Sequence, residues 1–339
     1  IYGLEPGGDL EYINPSRAER MQGKRPVEYR SYYQSFDLIE YKPGKDQSLA
    51  LVDKSGAGSQ TINFAYQTDF SVRTSDVAVE LEMPVVFVGY GYSDKKAGYD
   101  DFKDVDVKGK VILCLSGYPG HKDSDSKAYD KIGNKSRWAL YREKSQIASD
   151  LGVAAMIEVN PDGDVTQSWA DNLPFRYNSG NYEGDKPRAS YYESRMKLPG
   201  DKISSDLTRI TVSKRVLNAL LDGSDIDIEA CEEEVKNSLK PESSVLQGKT
   251  LKIKTSVDSK IIRARNGVGV LPGKDTSDII VIGGHYDHLG KHDGWIWNGA
   301  DDNASGTVGV MTIAKACMAT GEQPEKTIVF AAWTGEEKG

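Results

Sequence analysis

Three cysteines, Cys114, Cys231 and Cys317, are all that the 339 residues contain. So few exclude a disulfide framework and any zinc site built on paired Cys-x-x-Cys motifs. Cys114 and Cys317 sit inside apolar runs and are expected to be buried thiols. No apolar run approaches the ~18 residues that a membrane helix needs, so no membrane-spanning segment is expected. Positive charge is in deficit: 43 Lys and Arg stand against 51 Asp and Glu, a net charge of −8. That balance argues against a nucleic-acid partner, because such proteins carry a basic footprint. A charged segment leading into an apolar one is missing at Ile1, so no signal peptide is read from this chain. Common motifs also fail. Gly248-Lys249-Thr250 has Ser243 where a phosphate-binding loop needs glycine, and Gly267-Val268-Gly269 is not followed by a helix. No Gly-x-Ser-x-Gly elbow occurs around Gly299–Ser305.

What is present suffices for a packed protein: 38% hydrophobic and 28% charged residues. Residues 1–35 show no sustained period and are expected to be irregular, and residues 36–82 read as short antiparallel strands. From Pro84 the texture changes. Val85–Val88 and Lys110–Leu115 read as buried strands, 118–135 as polar loop, 136–151 as a helix marked by Trp138, Tyr141, Ala148 and Leu151, and Val153–Val159 as a strand. Residues 160–208 read mostly as loops. Ile210–Val212 is a short strand, and Ser213 caps a helix over 214–222 that Gly223 stops. A second regime begins near 248. Leu251, Ile253 and Val257 alternate with polar residues, and Lys260–Leu271 forms another strand. Asp278–Gly284 is a continuous apolar strand of the kind covered on both faces. A helix over 303–320 and a strand Lys326–Trp333 complete a right-handed βαβ unit.

Histidine numbers four, and three of these, His285, His288 and His292, follow the Asp278–Gly284 strand closely. In open α/β sheets ligands bind at the carboxyl ends of strands. One such end carries His285-Tyr286-Asp287-His288, the other Glu336-Glu337, and Asn298–Asn303 leads into the helix between them. Each group has an ordinary alternative: Asp301, Asp302 and Asn303 as helix caps, Glu336-Glu337 as a solvated turn, and the histidines as satisfied side chains. Their convergence on one sheet edge favours a site. Imidazole and carboxylate are the ligands of a hydrolytic zinc centre, and a carboxylate left off the metal can take a proton from water.

Gly283–Gly290, Asn298–Gly306 and Thr334–Gly339, in that order, closely resemble the co-catalytic two-zinc aminopeptidase family. This family includes bacterial secreted leucyl aminopeptidases and aminopeptidase Y and is related to glutamate carboxypeptidase and the transferrin receptor. Asn266–Gly273 is similar to the strand before its histidine motif, and residues 84–240 resemble an inserted protease-associated domain, with Val107-Lys108-Gly109-Lys110-Val111 its most typical run. The resemblance implies an α/β fold: a doubly wound mixed-sheet zinc-peptidase domain in two parts, 1–83 and 241–339, around a smaller α/β insert. It implies an exopeptidase that removes N-terminal residues from peptides by way of water held between two zinc ions. A carboxypeptidase of the same superfamily, or a non-catalytic scaffold with a vestigial metal site, is the alternative.

By the same resemblance His285 ligates one zinc, Asp301 bridges both and forms a cis peptide with Asp302, Glu336 is the general base, and Glu337 ligates the other zinc. Asp287 is expected to orient the His285 imidazole. His288 and His292 receive no role. Trp295 and Trp297 either wall the substrate pocket or pack their loop. The family's remaining carboxylate and histidine ligands fall beyond Gly339, so residues 1–339 alone are expected to bind zinc weakly and to lack activity. A bacterial secreted, periplasmic or cell-surface location is implied, with a peptide as substrate partner.

Overall fold

The computed structural model describes residues 2–56, 58–66, 68–73, 75–162, 194–202, 207–292 and 295–338. It is a mixed α/β protein whose contacts divide it into two units. One comprises residues 1–40, 174–201 and 259–339, the other 41–173 and 202–258.

The second unit is built on eight strands in the order Gln60–Phe64, Ser48–Asp53, Ser243–Lys254, Glu80–Val88, Val111–Leu115, Ala155–Val159, Thr208–Val212 and Phe70–Val72. The four from Glu80–Val88 to Thr208–Val212 run parallel, and the flanking pairs are antiparallel. The first and last strands of this order are neighbours in sequence, separated only by residues 65–69. So short a connection requires the sheet to curl. Val85, Phe87, Val111, Leu113 and Leu115 face a core closed by the helices Lys214–Leu221 and Ile228–Ser238. Val86, Val88, Ile112 and Cys114 face a second core that includes Ala148 and Ile147 of the helix Arg137–Asp150. Burial on both faces is why these strands read as unbroken apolar runs.

Pro84 marks the point where the Glu80–Val88 strand passes from alternating exposure into that core, not a boundary between units. Residues 41–83 and 241–258 lie in the second unit because Ser48–Asp53 and Glu80–Val88 both pair with Ser243–Lys254. Two local expectations change as well. The stretch 118–135 contains a helix, Lys127–Ile132, capped by Ser126 and burying Ala128 and Ile132. Trp138 points outward at 61% exposure, while Lys144 on the same helix is buried, donating to the carbonyls of Leu115 and Gly117. Most of the expected loop 160–208 lies outside the described residues.

In the first unit the strands run Arg195–Lys197, Tyr33–Pro43, Val257–Leu271, Lys326–Trp333, Asp275–His285, with Glu5–Pro6 also on Val257–Leu271. Lys326–Trp333 is antiparallel to Val257–Leu271 and parallel to Asp275–His285. The helix Ser305–Thr320 connects the parallel pair and packs Val310 and Ala314 against Phe330 and Leu4. Asp275–His285 ends the sheet among the described residues, and Ile279, Ile280 and Val281, expected to be covered on both faces, are exposed. The N-terminal stretch expected to be irregular holds an antiparallel pair, Leu10–Ile13 with Val27–Arg30, around the short helix Arg17–Met21. Cys114 and Cys231 are buried thiols, and Cys317 is half-buried. No described helix is long and apolar enough to cross a membrane.

Candidate metal centre

The parallel strands Asp275–His285 and Lys326–Trp333 finish side by side, with His285 paired to Trp333. Gly284 lets the first turn of the Ser305–Thr320 helix close on this end, since a Cβ there would sit 3.1 Å from the Gly306 backbone. Thr307 Oγ1 donates to the His285 carbonyl at 2.7 Å and ties helix to strand.

His285 is buried, at 8% exposure. Its Nδ1 lies 2.7 Å from the Asp287 carbonyl oxygen. A carbonyl can only accept, so Nδ1 carries the hydrogen and Nε2 of the neutral ring offers a lone pair. That Nε2 lies 3.1 Å from Asp302 Oδ1 and 3.7 Å from Glu336 Oε2. Burial works against protonation of His285, but the Asp287 carbonyl and the carboxylates of Glu336, Asp302 and Glu337 outweigh it and raise the pKa. The carboxylates thus favour a positive charge at this point.

Asp302 comes from the segment Ala300–Ala304, which Gly299 opens in the left-handed region at φ 60°. Asp302 and Asn303 leave helical geometry, with φ/ψ of −119°/89° and −133°/42°, and the peptide between them is cis. Asn303 Oδ1 accepts from Gly306 N–H at 2.9 Å, and the Asp301 carbonyl accepts from Ser305 Oγ at 2.9 Å. The carboxylate that meets His285 is that of Asp302, not of its neighbour Asp301, the residue expected from the sequence. The extended backbone at Asp302 delivers its carboxylate to His285, whereas Asp301 contributes its carbonyl to the helix start. The cis bond likewise falls at Asp302–Asn303 rather than Asp301–Asp302.

Glu336 and Glu337 stand in a short 3-10 turn after Trp333. Two side chains hold its approach, one in the Val257–Leu271 strand and one just past the Asp275–His285 strand: Asn266 Oδ1 accepts from Thr334 N–H at 3.0 Å, and Asp287 Oδ2 from Gly335 N–H at 2.8 Å. Asp287 meets the His285 imidazole through its carbonyl, while its carboxylate holds the turn. Its Oδ1 is buried without a hydrogen-bond partner. His288, given no role from the sequence, places Nδ1 2.7 Å from Glu337 Oε1. The available signal was its place in the same four-residue run as His285. The backbones of Gly290–His292 and Trp295–Trp297 form a hairpin. The side chains of His292, Trp295 and Trp297 lie outside the described residues.

His285, Asp302 and Glu337 each offer a ligand atom, all within 4.8 Å of one another. One imidazole and two carboxylates form a donor set that suits zinc. None of Asp302, Glu336 and Glu337 pairs with Lys or Arg among the described residues.

The profile of peptidase family M28 matches residues 266–339. The chain is 34% identical over 77 residues to a probable glutamate carboxypeptidase of Arthroderma benhamiae, covering 22% of this chain and 10% of that protein. It is 33% identical over 99 residues to a glutamate carboxypeptidase 2 homolog of Caenorhabditis elegans, covering 28% and 12%. It is 35% identical over 74 residues to leucine aminopeptidase 2 of Arthroderma otae, covering 22% and 14%. The matched segment thus spans only 10% to 14% of the length of these relatives. Among solved structures, an aminopeptidase from Aneurinibacillus sp. strain AM-1 aligns with a TM-score of 0.43 at 18% identity, over 91% of this chain and 53% of that one. A zinc aminopeptidase from Bacillus subtilis aligns with a TM-score of 0.37 at 18% identity, over 89% and 52%. All the residues that meet at the ends of the two parallel strands fall within 266–339, the segment that matches peptidase family M28.

Proposed function

We propose that the chain carries the metal centre of a zinc exopeptidase and that this enzyme is an aminopeptidase. The observation that carries the reading is the bare Nε2 of His285 directed at the carboxylates of Asp302 and Glu336, within a segment matching a peptidase family. His285, Asp302 and Glu337 would hold zinc, and the two oxygens of Asp302 allow it to serve two ions at once. When bound, zinc supplies Lewis acidity toward a peptide carbonyl and toward water. Glu336, at 60% side-chain exposure, is free to take a proton from attacking water at its carboxylate and to return it to the leaving amine. Glu337, at 15%, is held inward. Asp287 and Asn266 fix the turn that presents both glutamates.

Preference for a free amino terminus is supported by a relative's name. The relative named leucine aminopeptidase 2 favours removal of an N-terminal residue. The carboxypeptidase reading rests on the relatives that bear that name. We further read the second unit as an inserted protease-associated domain, supported by its interruption of the first unit in sequence and by the Val107–Val111 run that opens the Val111–Leu115 strand.

The test is to express the complete gene product that carries residues 1–339, load it with zinc, and give it leucine p-nitroanilide and an N-acetylated dipeptide ending in free glutamate. Cleavage of the first alone is expected. Cleavage of the second alone would reverse the end preference, and cleavage of neither by zinc-bound protein would overturn the exopeptidase reading. Glu336→Gln should retain zinc and lose activity by about 10²–10⁴-fold.

A further inference from the structure

His288, the other described histidine of the motif, is held on two sides. On one, its Nδ1 lies 2.7 Å from Glu337 Oε1, with both side chains largely buried. On the other, the Gly299 backbone closes over it. A Cβ at Gly299 would sit 2.5 Å from His288 Cβ and Cγ, and 2.7 Å from the Asp302 carbonyl oxygen. The imidazole thus fills the space between the segment that brings Asp302 and the turn that brings Glu337.

The chemistry of the contact is specific. An ionised carboxylate has no hydrogen to give, so His288 Nδ1 must donate. That bond occupies Oε1 of Glu337 and leaves Oε2 as the oxygen with an open side. A ligand carboxylate with one oxygen fixed by an outer hydrogen bond is restricted in rotation, and such outer partners commonly set metal affinity. A space-filling ring would need no donor at this position. We propose that His288 is a positioning residue: by donating Nδ1–H to Glu337 Oε1 it directs Glu337 to the metal through Oε2 alone and leaves Glu336 free as base. This rests on the zinc reading of the site given above.

The test compares the wild-type protein with His288→Asn, which keeps an N–H near the place of Nδ1, and His288→Phe, which keeps a ring and removes the donor. Zinc affinity is read by competition with a chromophoric chelator, and ligand geometry by the visible absorption of the cobalt(II)-substituted protein. His288→Phe should lose about 10–100-fold in zinc affinity with an altered cobalt spectrum, and His288→Asn should restore most of both. Where the Phe variant does not fold, His288→Gln, which moves the N–H outward toward the Nε2 position, should show the same loss. Wild-type affinity and spectrum in the Phe or Gln variant would overturn the proposal, as would equal impairment of Asn and Phe, which would mean that only the ring's packing counts. Wild-type protein that takes up neither zinc nor cobalt would overturn the metal reading itself, and this inference with it.

Discussion

Asp301 and Asp302 have the same chemistry and adjacent places, and what separates them is two backbone dihedrals. Asp302 leaves helical φ/ψ and swings its carboxylate toward His285, while Asp301 spends its carbonyl on Ser305. Asp302→Asn is therefore expected to lower zinc retained after dialysis at least about 10-fold, and Asp301→Asn to leave it near wild type, as read by elemental analysis. Equal retention in the two variants would contradict the assignment. The sequence made His285 and the two glutamates legible because their types and their places at strand ends agree. It could not resolve the aspartates, because a departure from helical geometry inside a run of good capping residues leaves no mark on composition. Asp287 shows the same limit in another form. Its proximity to His285 was readable, but whether it acts through carbonyl or carboxylate depends on where Gly335 N–H lies.

At the scale of elements, the strands Val85–Val88, Val111–Leu115 and Lys326–Trp333 and the helix Ser305–Thr320 were visible as apolar runs or helical periods, since burial and periodicity are both written in the side chains. The pair Leu10–Ile13 with Val27–Arg30 was not, because it buries little and its apolar residues face solvent. Pairings between distant strands carry a testable consequence. Lys249, at 3% side-chain exposure, reaches Asp53 Oδ2 at 2.6 Å across the Ser243–Lys254 and Ser48–Asp53 pair. Burial pushes the Asp53 pKa up, but Lys249 and Ser55 outweigh it and hold the carboxyl at about 2, below its ordinary 3.8. A depressed carboxyl stabilises the fold above its unfolded-state pKa, and that contribution fades as pH falls from about 4 toward 2. Asp53→Asn should cost about 3–5 kcal/mol at pH 7, because it strands a buried ammonium. In urea unfolding, the difference between wild type and variant should shrink as pH approaches 2. A difference that stays constant from pH 7 to 2.5 would show that the ion pair is not its source.

Across the whole molecule the two units differ in how completely their sheets are covered. Val111–Leu115 has a parallel strand on each side and a core on each face, whereas Asp275–His285 pairs only with Lys326–Trp333 among the described residues and exposes Ile279, Ile280 and Val281. Native-state amide exchange should therefore be at least about 10-fold slower in Val111–Leu115 than in Ile279–Val281. Equal protection would mean that the second strand is covered in solution. The division into units was only partly open to sequence reading. A change of composition is visible where burial changes along one strand, as at Pro84, but a boundary set by which strands pair is not.

The curled eight-stranded sheet also has a consequence in time. Its Ser48–Asp53 strand pairs with Ser243–Lys254, and the Asp53–Lys249 contact joins residues 196 positions apart. At roughly 5–20 residues per second, a ribosome needs about 10–40 s to deliver the second strand after the first. Through that interval the emerging chain can form the hairpin Ser48–Asp53 with Gln60–Phe64, but Leu49, Leu51 and Val52 still lack the strand that completes their side of the sheet. During synthesis the nascent hairpin should therefore keep that side exposed until Lys254 has cleared the exit tunnel.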